Sequence, residues 1–120
     1  MDCLVIQNTA PADIKKRASQ IKYLFIDCDG VLTDNGAFVG PQGEVMKRFS
    51  FRDGMGVERL RDLAGIETAI ITGENTGVVS ARAKKLKINE VHLGISNKLE
   101  KAMEIAQRLK LERHEIAYMG

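Results

Sequence analysis

Apolar positions along the chain change their spacing several times, and each change marks an element. Tyr23-Leu24-Phe25-Ile26 is apolar without a break, and Ile66–Thr72, IETAIIT, is nearly so. Runs of this length predict strands covered on both faces, here Leu24–Asp27 and Ile66–Thr72. Val57, Leu60 and Leu63 recur at helical spacing, which predicts a helix over about Gly56–Ala64 that Gly65 ends. Val79, Ala83 and Leu86 predict a second helix over Thr76–Lys87. Leu99, Ala102, Ala106 and Leu109 predict a third, with Asn97 as its cap and Glu100 completing a capping-box-like pair. Glu90–Leu93 and Glu115–Met119 read as short strands. Ala12–Gln20 reads as a short helix with Pro11 near its first turn. Residues 1–10 carry no periodic pattern and are expected to be loosely held.

Residues 34–52 alternate instead. Ala37-Phe38-Val39, the turn Gly40-Pro41-Gln42-Gly43 and the arm Glu44–Phe51 predict a β-hairpin. Val45, Lys47, Phe49 and Phe51 share one face of that arm, and Met46, Arg48 and Ser50 the other. A partly apolar arm without a local core suits a lid or a subunit contact, the second being preferred.

Strand, hairpin, helix, strand, helix, strand, helix, strand is the order of an α/β fold. It predicts one domain over residues 1–120: a doubly wound parallel sheet, Rossmann-like, with a hairpin insertion at about 34–52. Ligands of such sheets sit at the carboxyl ends of the strands. That rule gathers Asp27, Asp29, Thr72, Gly73 and the region Gly94–Lys98, with Gly120 on the same edge.

Composition narrows the picture. The chain has 120 residues, 44% of them apolar, and a formal charge of +2. That charge is too small, and the basic residues too dispersed, to predict nucleic acid or an anionic membrane as a partner. Lys15-Lys16-Arg17 and Lys84-Lys85 read as solvated helix faces. Cys3 and Cys28 have no metal-ligand spacing, and Cys28 is expected to pack as a small hydrophobe. Free thiols, the lack of a secretory pattern in MDCLVIQNTA and the lack of a spanning segment predict a cytoplasmic protein.

The chemistry centres on Phe25–Asn35, FIDCDGVLTDN. Asp27 and Asp29 are two apart and point to one side of an extended chain. Gly30 lets the backbone turn and approach a ligand. Two neighbouring carboxylates repel unless they share a cation or a proton, and Mg2+ suits them because it prefers oxygen ligands and keeps several waters. Thr72-Gly73 offers a hydroxyl and free N–H groups to phosphate oxygens, and Lys98 adds a positive charge. His92 and His114 lack ligand spacing and read as structural. Met46, Met55, Met103 and Met119 read as packing residues.

FIDCDGVLTD, AIITGE and GISNKLEKA resemble the first three motifs of the haloacid dehalogenase superfamily of phosphohydrolases. GEVMKRFSFRDGMGVERL and HEIAYMG are similar to the 3-deoxy-D-manno-octulosonate 8-phosphate phosphatases, a branch that includes phosphatases of nine-carbon sialic-type acids. The resemblance covers about residues 12–120. It implies that Asp27 attacks phosphorus to form an aspartyl-phosphate, and that Asp29 protonates the leaving oxygen and then activates water. It also implies that Mg2+ is held by the Asp27 carboxylate and the Asp29 backbone carbonyl, and that Thr72, Gly73, Gly30 and Lys98 hold the phosphoryl group. The hairpin would replace a cap domain and pack between the subunits of a homotetramer. The implied substrate is a small sugar-acid phosphate, with Thr33, Arg52, Glu74, Arg82 and Lys85 as candidate contacts.

Two departures from the family pattern bear on these expectations. Octulosonate phosphatases carry Arg after the Thr-Gly pair, where this chain has Glu74. Glu74 with Lys85 eleven residues on resembles the nine-carbon branch, whereas Arg52-Asp53-Gly54 resembles the eight-carbon one. The family's fourth motif, Gly-Asp-Asp-x-x-Asp, completes the metal site, and the chain stops at Gly120. Weak Mg2+ binding and low activity are therefore expected of these 120 residues, and a non-catalytic assembly domain is one rival reading. A phosphoacceptor receiver domain is the other, but it needs its acid on a middle strand, where this chain has Thr72.

Overall fold

The computed structural model describes residues 11–120. The expectations for residues 1–10, Cys3 included, lie outside them. The described elements are α1 (Ala12–Ser19), β1 (Tyr23–Ile26), β2 (Thr33–Gly40), β3 (Gly43–Phe49), α2 (Phe51–Ala64) and β4 (Glu67–Ile71). They continue with α3 (Gly77–Lys85), β5 (Glu90–His92), α4 (Lys98–Arg108), a 3-10 turn (Arg113–Glu115) and β6 (Ile116–Met119).

Four strands form a parallel sheet in the order β5-β4-β1-β6. The α/β fold with a parallel sheet covered on both faces is as the sequence predicts. On one face Ile26, Ile70 and Leu32 pack with Val57 of α2 and Val79, Ala83 and Leu86 of that side. On the other, Tyr23, Phe25, Ala69 and Ile71 pack with Ala102 and Ile105 of α4. Alternation along β1 and β4 therefore feeds two cores, which is why neither strand has a polar face. Tyr23, at the edge of the second core, has its phenol pushed up to about 12 by burial. Cys28 is fully buried in the first, and burial pushes its thiol up to about 11.

Strand order fixes the crevice. The chain steps from β1 to β4 to β5 in one direction, then returns to lay β6 along the other edge of β1. β1 is the switch point, and Asp27 follows directly on its carboxyl end.

Two helices differ from expectation in instructive ways. α2 begins at Phe51, five residues before the predicted start, because Ser50 caps it by accepting a hydrogen bond from the Arg52 N–H. Phe51, Arg52 and Asp53 are exposed and the next residue, Gly54, is buried but has no side chain, so no apolar period announces the start. Phe51 thus leaves the hairpin arm and is 83% exposed. The stripe of α4 is Ala102, Ile105 and Ala106, whereas Leu99 is 72% exposed. Lys98 shares the inward face with Ala102 and Ile105 at helical spacing, and this turns Leu99 outward. Leu63 of α2 is 82% exposed. With Leu24, Ile26, Leu60 and Met119 it lines an open apolar groove of about 560 Å3 beside β6. Met46, Met55, Met103 and Met119 are all exposed to a large extent, so the packing role predicted for them is not what the described residues show.

β2 and β3 form a separate antiparallel hairpin. Its register slips between Phe38↔Met46 and Val39↔Glu44, which makes Val45 an extra residue on β3. A bulge of this kind changes the parity of the strand, and Glu44 and Lys47 come to the same side.

Candidate active site

The loop after β1 carries both acids. β1 ends at Ile26, so Asp27 and Asp29 do not lie on extended strand as the sequence suggested, and they reach different partners. The Asp27 N–H donates to the Met119 carbonyl of β6 at 3.0 Å, which anchors the first acid between two strand ends. Its Oδ1 accepts from the Cys28 N–H at 2.7 Å, and its Oδ2 accepts from Lys98 Nζ at 2.8 Å. That hydrogen bond raises the Lys98 pKa by more than burial lowers it. The ammonium is therefore charged at neutral pH.

Asp29 turns to the hairpin. Its Oδ1 accepts from Lys47 Nζ at 2.6 Å, and the same Nζ lies 2.6 Å from Glu44 Oε1. The Lys47 side chain is only 3% exposed. Burial opposes its charge, but the hydrogen bond to Asp29 and the contact with the Glu44 carboxylate together outweigh burial and hold its pKa above the ordinary lysine value. Lys47 and Glu44 were not among the residues singled out from the sequence. The alternation that put Lys47 on the face of Phe49 was the available signal.

Gly30 turns the loop at φ +79°, a conformation that L side chains rarely adopt. Its N–H donates to Thr33 Oγ1, and so does the N–H of Asn35, each at 3.1 Å. Thr33 is buried, and its hydroxyl braces this loop from inside.

At the end of β4, Thr72 is 1% exposed and its Oγ1 accepts from the Glu74 N–H. The hydroxyl proton is left for another acceptor. The loop after β5 folds over this end: the Ile95 N–H donates to the Thr72 carbonyl and the Gly94 N–H to the Glu74 carbonyl, both at 2.9 Å. Gly73 is exposed beneath Ile95. The same loop delivers Asn97, whose side chain caps α4 through the Glu100 N–H, and then Lys98.

A polar cleft of about 420 Å3 opens beside Asp29, lined also by Asn35, Glu44, Lys47 and Glu74. Four of the predicted substrate residues stand elsewhere. Thr33 is the buried brace already described. Arg52 lines the apolar groove. Arg82 Nη2 donates to the Ser50 carbonyl at 3.2 Å, and its guanidinium lies over the Phe49 ring, 5.5 Å from its centre. Lys85 lines a hollow with Arg82, Phe51 and Glu58. Within one chain, Glu74 and Lys85 therefore do not meet. His92 is paired with Glu90 at 2.7 Å and His114 lies near Glu112.

No protein-family model matches the chain. Among curated proteins, it is 38% identical over 109 residues to the 3-deoxy-D-manno-octulosonate 8-phosphate phosphatase KdsC of Escherichia coli strain B, covering 91% of this chain and 57% of that protein. It is 37% identical over 108 residues to KdsC of Yersinia pestis. A solved 3-deoxy-D-manno-octulosonate 8-phosphate phosphatase from Moraxella catarrhalis, in complex with magnesium ion, phosphate ion and a KDO molecule, superposes with a TM-score of 0.86 at 33% identity. That match covers 92% of this chain and 63% of the other.

The chain belongs to the 3-deoxy-D-manno-octulosonate 8-phosphate phosphatase family. It spans a little over half the length of the curated relatives it matches. Of the residues to which the resemblance gives roles, Asp27 and Lys98 meet directly, and Asp29 stands two residues beyond Asp27 on the same loop. No group of three or more His, Cys, Asp or Glu side chains that could hold a metal occurs among the described residues. Two carboxylates at a strand mouth are still the donor set Mg2+ takes, since it fills its remaining positions with waters and phosphate oxygens. No helix among the described residues is long and apolar enough to cross a membrane.

Proposed function

We propose that this protein is a phosphomonoester hydrolase that removes the terminal phosphate of a 2-keto-3-deoxy sugar acid. The observation that carries the reading is the pairing of two acids on one loop with two lysines from different elements: Asp27 with Lys98, and Asp29 with Lys47. Asp27 is the nucleophile. One of its carboxylate oxygens forms a bond to phosphorus as the bond from phosphorus to the sugar oxygen breaks, and Asp29 gives its proton to that oxygen. Asp29, now a carboxylate, takes a proton from water; the water oxygen bonds to phosphorus, the bond to Asp27 breaks, and inorganic phosphate leaves. Lys98, the Thr72 hydroxyl and the N–H groups around Gly73 hold the equatorial oxygens, where positioned charge supplies most of the stabilisation. Mg2+, held by the Asp27 carboxylate and the Asp29 backbone carbonyl, would neutralise phosphate charge when bound.

The cleft beside Asp29 receives the leaving sugar acid, and Glu74 at its wall supports a nine-carbon substrate as a second option beside the eight-carbon one. The hairpin exposes Phe38, Val39, Val45 and Met46, an apolar surface that supports its role as a contact between subunits. Phosphate release by the complete reading frame from eight- and nine-carbon ulosonate phosphates, with and without Mg2+, tests the reading. Glu74→Arg in the same screen tests the choice of substrate. Turnover of neither sugar acid with Mg2+ present would overturn the proposal.

A further inference from the structure

Lys47 enters the reading above only through its contact with Asp29 and takes no part in any bond change, yet it is the most completely enclosed charged side chain at the site. It comes from the hairpin, eighteen residues from Asp29, and its Nζ lies 2.6 Å from Asp29 Oδ1 and 2.6 Å from Glu44 Oε1. A surface lysine held by two acids would be unremarkable. One with a side chain 3% exposed has been taken out of water, and that arrangement persists only if its partners are fixed. The Val45 bulge is what brings Glu44 to the same side as Lys47.

We propose that Lys47 is the positioning residue for Asp29: the Glu44–Lys47 pair on the hairpin pins one oxygen of the Asp29 carboxyl and leaves the other aimed at the leaving-group oxygen. Charge arithmetic fits this role. Glu44 and Lys47 cancel each other, so the pair orients Asp29 without adding net charge to the cleft. A lysine without Glu44 would bind Asp29 as a closed ion pair. The hairpin is thereby part of the active site of its own chain, whatever else it contacts. This inference rests on the hydrolase reading above.

The test compares two substrates in the complete reading frame. A sugar phosphate needs its leaving oxygen protonated, whereas p-nitrophenyl phosphate expels a stable anion that does not. Lys47→Met is expected to lower kcat/KM for the sugar phosphate by about 10²-fold, within the range general acids supply, and that for the aryl phosphate by less than about threefold. Lys47→Arg is expected to recover most of the loss. The ratio of the two activities is independent of how much variant folds, and Lys47→Arg carries the test if the methionine variant yields no folded protein. A ratio within about twofold of wild type in the methionine variant, or an arginine variant with no recovery, would overturn the inference while leaving the hydrolase reading intact. Wild-type protein inert toward both substrates would overturn both.

Discussion

Gly54 sits inside α2, where alanine ordinarily stabilises a helix by up to about 1 kcal/mol. The structure predicts the opposite sign here. A Cβ on Gly54 would lie 2.6 Å from Arg82 Nη2 and 2.9 Å from Leu86 Cδ2. Leu86 is buried in the core beneath α3 and has little room to retreat. Arg82 could swing away, but it would then give up its hydrogen bond to the Ser50 carbonyl and its place over Phe49. The first loss costs about 0.5–1.5 kcal/mol and the second about 0.5–1 kcal/mol. With the strain on Leu86, overpacking of this kind costs about 1–3 kcal/mol. Set against the helix gain, Gly54→Ala should destabilise the protein by about 1–2 kcal/mol. Urea denaturation at equilibrium measures this directly. Because Arg82 is one of the two obstacles, the penalty should shrink by about 1 kcal/mol when the substitution is made on an Arg82→Ala background. A Gly54→Ala variant as stable as wild type, or an undiminished penalty in that background, would refute the reasoning. The same contacts explain why Arg82 serves the junction of hairpin and helix instead of the cleft.

Other expected outcomes follow from single contacts. Ile105→Ala empties a site 1% exposed between α4 and the sheet and should cost about 2–4 kcal/mol, read as a lower midpoint in the same denaturation assay. Burial pushes the Glu90 carboxyl up, but hydrogen bonds from His92 and Arg108 outweigh it and leave its pKa below the ordinary 4.5. Its stabilisation is therefore present above that value and is lost as pH falls through the lowered one; Glu90→Gln should flatten the acid limb of the stability curve. Lys98→Met should lower kcat by about 10²–10³-fold, the usual cost of one lost donor to a transition-state oxyanion, and an unchanged kcat would remove Lys98 from the phosphoryl site.

The sequence made the sheet and the first acids plain, because an apolar strand ending in Asp-x-Asp-Gly carries its own punctuation. Thr72 and Lys98 were legible for the same reason: each follows a buried run at a strand end or a capped helix start. What stayed hidden depended on tertiary rotation. Leu99 looked inward by period, but Lys98 claims that face of α4 for Asp27. The start of α2 was invisible because Phe51, Arg52 and Asp53 face solvent and only Ser50 announces it. Glu44 and Lys47 were missed because a one-residue bulge at Val45 changes the parity of β3, and no propensity marks a bulge at valine. Arg82 and Lys85 are substrate candidates only through the family resemblance, and the packing of Gly54 against α3 gives Arg82 other partners.

The central claim is that Asp27 attacks phosphorus. The decisive measurement is phosphate release from an octulosonate 8-phosphate by the complete reading frame with Mg2+, for wild type and for Asp27→Asn at matched folded concentration. The account predicts turnover by wild type and a loss of at least about 10³-fold in the variant. Equal turnover by the two proteins would contradict it.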